Sequence, residues 1–277
     1  MNHRSKQPTT PPPASQNLLH RSPVCRVEPP EGYSWTPPPF RLALPYYEGD
    51  YERARDLLLW VADLSPGVDR ELTIFTDEGI APNIHRRVMW AASQAFSSVK
   101  EVFIPPTTAK WPGSNNWVFL NIMRHMAAQE TPQPWLLLET DVVPVTTDWV
   151  FRLEEEYSRA RKPFMGSWVE YYDIINGAAV YPPNVGPWSP TYFAMDVTRA
   201  LAYDCAIAPD IIWFSHNANH LMPHVWFSRE NGRPGGFVPK IPEWNPRMAE
   251  WVLDHNAVLA HRCKDGKLIE FLRSRRQ

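Results

Sequence analysis

Glu139 and Asp141 are the residues whose types and spacing say most about chemistry. An apolar run, Trp135-Leu136-Leu137-Leu138, leads into the pair, and Pro144 closes the segment. On an extended chain, residues i and i+2 point to the same side, so the two carboxylates would face one ligand. Hard divalent ions such as Mg²⁺ and Mn²⁺ accept one or two carboxylates and fill the rest of their shell with water or phosphate oxygens. The plainer reading is that Asp141 ends a strand and caps a turn while Glu139 is solvated. Two acids at the mouth of a buried strand are costly without a partner, which favours a ligand.

The elements that would position this pair alternate regularly. The pattern predicts strands over 41–47, 71–78, 100–106 and 134–144, the last buried enough to lack alternation. Helices are expected over 50–63, 83–98 with Asn83 as N-cap, 115–129, and 146–162 with Asp148 near its start. Short strand–helix–strand connections predict an α/β fold, a mostly parallel sheet with helices on both faces. Ligands of such sheets bind beyond the C-terminal strand ends, which places the site near Tyr46, Asp77, Pro105 and Asp141. After residue 163 the pattern turns irregular, through FMGSWV and IINGAAVYPP to a helix expected around 191–203. No GxGxxG or Gly-rich phosphate loop occurs, against a dinucleotide-binding dehydrogenase or a P-loop NTPase.

Composition bounds the rest. The 277 residues carry 28 Lys plus Arg and 30 Asp plus Glu, a net charge of −2, so a polycation that coats nucleic acid or anionic membrane is excluded as a class. Three cysteines (Cys25, Cys205, Cys263) without C-x-x-C spacing suit neither a disulfide framework nor a thiolate zinc site and fit a reducing compartment. The N-terminus lacks a secretory apolar segment and no run is long enough to span a bilayer. The expectation is a soluble cytoplasmic protein with no membrane partner. Ten of the 30 prolines lie within residues 1–40, a stretch expected to be a disordered or extended tail ahead of one domain over 41–277.

The Glu139-Thr140-Asp141 segment resembles the DxD-type motif of glycosyltransferases with the GT-A fold, a Rossmann-type sheet, with Glu in place of the first Asp. The resemblance extends over roughly 41–266 and implies a nucleotide-sugar donor, a UDP-sugar ahead of a GDP-sugar, held by Mn²⁺ or Mg²⁺. It implies Asp141 and Glu139 as metal ligands, Glu139 also at the ribose, and His261 in Ala260-His261-Arg262-Cys263 as the late histidine completing the metal shell. Tyr46 and Asp77 at strand ends, and Trp111 and Asn116 in WPGSNNWVF, are implied donor contacts. Lys264 could pair with a donor phosphate or be solvated. The halves 41–162 and 163–277 would serve donor and acceptor.

An inverting member of that family needs a further acid to take the acceptor proton. Asp196, expected to head a helix after the Gly-containing loop, is the first candidate, with Asp173 and Glu170 as alternatives. The string WLLLETDVVP, KPFMG, GAAVYPP is also similar to small phage and bacterial members, which implies a hydroxymethylated pyrimidine of phage DNA as acceptor and host cytoplasm as location. The 13 Trp would suit stacking of a flipped base. Arg86-Arg87, Arg159–Lys162 and Arg273–Arg276 could meet phosphates or be ordinary helix ends. His216, Asn217, Asn219, His220 and His224 could line an acceptor cleft. A transferase acting on protein or glycan, and an inactive sugar-nucleotide or DNA-binding module, remain the alternatives.

Overall fold

The computed structural model describes residues 28–169, 174–190, 201–223, 249–250, 252–253, 256–261 and 263–276. Strand β1 (Arg41–Pro45) leads through a short 3-10 turn into helix α1 (Tyr51–Leu64). Then follow β2 (Val68–Asp77), α2 (Pro82–Ala95), β3 (Phe96–Ile104), α3 (Gly113–Ala127) and β4 (Trp135–Leu137). A two-residue strand β5 (Val143–Pro144) precedes α4 (Trp149–Ala160), β6 (Phe164–Val169) and β7 (Ile174–Tyr181). Helix α5 (Tyr203–Ile211), β8 (Ser215–Asn217), β9 (Leu259–Ala260) and α6 (Lys267–Ser274) follow, with 3-10 turns at Gly186–Trp188 and Ile212–Phe214.

Seven strands form one sheet in the order β3-β2-β1-β4-β7-β6-β8. The neighbours from β3 to β4 are parallel, as are β6 and β8, and only β7 runs against both its partners. The strand-side alternation decides which helices cover which face. Leu42, Leu44, Leu72, Ile74 and Leu136 pack with α1, α2 and α4, whereas Ala43, Phe75, Trp135 and Leu137 pack with α3 and α5. Helices therefore cover both faces, as the alternation of elements implies. A third cluster joins Trp60 and Leu64 of α1 to Val143, Ala260 and the apolar stripe Leu268, Ile269 and Leu272 of α6.

Three local expectations change. Helix α2 starts one residue earlier than Asn83, with Pro82 in its first turn and Ala81 as N-cap, because proline there loses no helical hydrogen bond. It ends at Ala95, since Phe96 already takes up pairing with Val68 of β2. The buried strand expected over 134–144 stops at Leu137. In this ladder Leu138 N donates to the Ala43 carbonyl at 2.8 Å, and the next rung would need an N–H from Pro45, which has none. Beyond residue 163, where periodicity fades, the chain re-enters the same sheet through β6, β7 and β8. Residues 28–40 have no regular structure, yet Trp35 and Phe40 pack on Tyr157, and Phe40 N donates to buried Glu154 at 2.8 Å.

Candidate metal and donor site

Where β4 ends, the chain folds into a turn closed by Val142 N donating to the Glu139 carbonyl at 3.0 Å. The two carboxylates face one ligand position because of this turn, and the pleat invoked from the sequence plays no part. The turn is tied to the entrance of α1: the Thr140 hydroxyl donates to Asp50 Oδ2 at 3.1 Å, and Asp50 Oδ1 accepts from Tyr47 N at 2.8 Å. Strand β5 then pairs antiparallel with β9, Val143 opposite Ala260. That register sets His261 alongside Asp141, and Cys263 N donating to the Asp141 carbonyl at 2.9 Å locks it.

The result is a compact triad. His261 Nε2 lies 2.9 Å from Glu139 Oε2 and 3.2 Å from Asp141 Oδ1. Asp141 and His261 are buried and Glu139 is partly open to solvent. Among the described residues these three form the only group of His, Cys, Asp and Glu able to share one ion, one donor atom from each lying within 4.8 Å of the others. Adjacent ligands of an octahedral ion with bonds of about 2.1 Å are separated by about 3 Å, so both short separations fit such a shell. The donor set, two carboxylate oxygens and an imidazole nitrogen, suits a divalent metal ion. Burial would depress the His261 pKa, but Asp141 and then Glu139 outweigh it and lift it to about 9. Lys264 Nζ stands 3.7 Å from Asp141 Oδ2 on the solvent side.

The other sequence-derived residues divide. Tyr46 lies at the end of β1, buried, its hydroxyl 2.8 Å from His85 Nδ1, and burial lifts its pKa to about 12. Asp77 ends β2 half-buried, and desolvation raises its pKa. Trp111 precedes α3 and is 72% exposed, open to a ligand. Asn116 is fully buried and its amide nitrogen donates to the Leu201 carbonyl at 3.0 Å, which braces α3. Asp196, Asp173, Glu170 and His224 lie outside the described residues.

Three members of the polar cluster, His216, Asn219 and His220, make contacts within the fold. His216 Nε2 is 2.6 Å from Glu156 Oε1 and His220 is 3.8 Å from its other oxygen. Asn219 accepts from Ser167 and from Trp168 N, joining β6 to the loop after β8. The cationic stretches are partly committed: Arg159 pairs with Glu156, Arg273 with Asp63 and Arg275 with Glu250, while Lys162 donates to the Trp213 carbonyl.

Sequence reasoning missed the far wall of the site. A Cβ at Gly177 would stand 2.2 Å from the Tyr203 hydroxyl and 2.6 Å from Glu139 Oε1, so only glycine lets these groups converge. Asp204, next along α5, has its pKa raised to about 6 by burial and by the Glu139 charge. The one available signal was the glycine in the largely apolar strand IINGAAVY.

This architecture, a mostly parallel sheet with helices on both faces and an acidic turn at the C-terminal strand ends, is the GT-A fold. The chain is similar to the galactosyltransferase LgtC in complex with donor and acceptor sugar analogs, with a TM-score of 0.55 and 9% identity over 85% of this chain and 96% of that one. An active-site mutant of LgtC gives the same TM-score at 8% identity, with the same shares covered. The bifunctional glycosyltransferase WbbM in its apo form gives 0.52 at 9% identity, over 83% of this chain and 46% of that one. No protein-family profile and no curated protein sequence matches the chain.

Proposed function

We propose that this protein is a metal-dependent glycosyltransferase that moves a sugar from a nucleotide-sugar donor, UDP-linked ahead of GDP-linked, to a hydroxyl acceptor. The observation that carries the reading is the Glu139–Asp141–His261 triad at the C-terminal strand ends of a GT-A sheet. Mn²⁺ or Mg²⁺ held there would neutralise the growing charge on the nucleoside diphosphate leaving group. The chain's own residues do the rest. Lys264 adds a positive charge beside the diphosphate, Tyr46 and Asp77 line the nucleotide side, Trp111 offers an exposed ring at the mouth, and Glu139 reaches the ribose. Residues 41–162 then serve the donor and 163–277 the acceptor. Asp196 is the first candidate to take the acceptor proton, with Asp173 and Glu170 behind it.

For the acceptor, a hydroxymethylated pyrimidine in DNA is the reading to test first, against a protein or glycan hydroxyl. Purified protein with Mn²⁺ and UDP- or GDP-sugars is incubated with plain DNA, hydroxymethylated DNA and simple saccharides, and products are weighed by mass spectrometry. One hexose or pentose added to hydroxymethylated DNA alone supports the DNA reading. Saccharide products transfer the assignment to glycan. Donor binding with neither transfer nor donor hydrolysis means an inactive binding module. Asp141→Ala is expected to abolish turnover while the thermal melt stays cooperative; near-full turnover in that variant would overturn the central assignment.

A further inference from the structure

Tyr203 opens α5 and borders the triad without belonging to it. Its ring stacks on Phe119 of α3, with centroids 3.9 Å and planes 8° apart, inside the core layer under the sheet. The phenol therefore cannot swing away without disrupting that layer. Its hydroxyl reaches Glu139 Oε1 at 3.5 Å. A phenol hydroxyl is protonated at neutral pH, so it can donate to that oxygen. The neighbouring Tyr181 gives its own proton to the Gly177 carbonyl at 2.9 Å. An ionised carboxylate is a stronger acceptor than a neutral phenol oxygen, so the Tyr203 proton belongs to Glu139.

Gly177 supplies the room. The bare backbone of β7 at this point is what allows the Tyr203 hydroxyl and Glu139 Oε1 to meet over it. Both oxygens of Glu139 are then assigned, Oε1 to Tyr203 and Oε2 to His261 at 2.9 Å. A partly exposed glutamate otherwise has several rotamers to sample, and restricting them has an entropic cost. Outer partners that orient a ligating carboxylate lower that cost before the ligand arrives.

We propose that Tyr203 is a positioning residue: its hydroxyl, admitted by Gly177, holds Glu139 in the rotamer that turns Oε2 toward His261 and Asp141. Its purpose rests on the metal reading above; its truth rests on the Glu139–Tyr203 geometry alone.

Two measurements on the full chain separate the two. Crystals of wild type and Tyr203→Phe, grown without divalent ions, are compared at Glu139: the variant is expected to lose the single wild-type rotamer, and an unchanged rotamer overturns the proposal. Mn²⁺ titration followed by electron paramagnetic resonance of the free ion is expected to show affinity about tenfold weaker in Tyr203→Phe. The same substitution made in a Glu139→Gln background is expected to add no further loss. Unaltered affinity in the single variant, or an equal added loss in the double variant, also overturns it. Tyr203→Phe keeps the ring and its stacking; should it fail to fold, Gly177→Ala, which displaces the same two oxygens, takes its place in both measurements. A wild type that binds no Mn²⁺ removes the metal reading, while the crystal comparison still decides the role of Tyr203.

Discussion

Asp50 shows how the site is held in place at the scale of a single residue. Its carboxylate receives Tyr47 N and the Thr140 hydroxyl, linking the start of α1 to the turn that carries Asp141. Burial nevertheless raises its pKa, so the desolvation of its charge outweighs the hydrogen bonds and Arg53 that favour it. Two substitutions therefore diverge. Asp50→Ala leaves an N–H and a hydroxyl without their acceptor and is expected to cost about 1–3 kcal/mol. Asp50→Asn keeps an oxygen acceptor, sheds the buried charge and is expected to leave the neutral-pH melting temperature unchanged or higher. Equal melting temperatures for the two variants would contradict this account. At this scale the residue types of the acidic pair were readable from the sequence, while the reason they converge was not. Pleat geometry predicted convergence on a strand, but the missing N–H of Pro45, a residue of another strand, turned that strand into a bend.

The elements themselves were largely legible, because apolar periodicity and short connections reflect burial directly. α1, α4, β1 and β2 fall near their expected bounds. The edges moved where pairing partners intervened, as at Phe96, which joins β3 because Val68 lies opposite. The junction of α4 with β8 has a pH dependence of its own. Burial would raise the Glu156 carboxyl, but the His216 hydrogen bond, the Arg159 charge and His220 outweigh it and hold its pKa below the ordinary 4.5. A carboxyl depressed on folding contributes stability that is present above the unfolded value and lost as pH falls through the folded one. Thermal melts between pH 3 and pH 7 should therefore show an acid limb below about pH 4.5 that Glu156→Gln flattens. The same limb in the variant would assign it to other groups.

For the molecule as a whole, the site depends on a segment far from it along the chain. Glu139 and His261 are separated by 122 positions and meet through the β5–β9 ribbon. That ribbon is clamped by Trp60, whose indole donates to the Pro144 carbonyl at 2.7 Å, and by the apolar stripe of α6. Removing residues 267–277 is expected to uncover this cluster, loosen β9 and lower Mn²⁺ affinity at least tenfold, with far-UV circular dichroism showing the central sheet retained. Full Mn²⁺ affinity in the truncated chain would show that the ribbon stands without α6.

The amino-acid sequence by itself determined the alternation of elements, the two-faced burial of the parallel strands and the identity of the acids at their ends, because each follows from local polarity and spacing. The tertiary structure alone decided that Asn116 braces a helix, that Gly177 admits Tyr203 to Glu139, and that the β5–β9 pairing is what carries His261, implied beforehand by the family resemblance, to the acids. Those outcomes depend on contacts between residues distant in the chain, and local periodicity carries no record of which remote backbone supplies a rung, a gap or a partner.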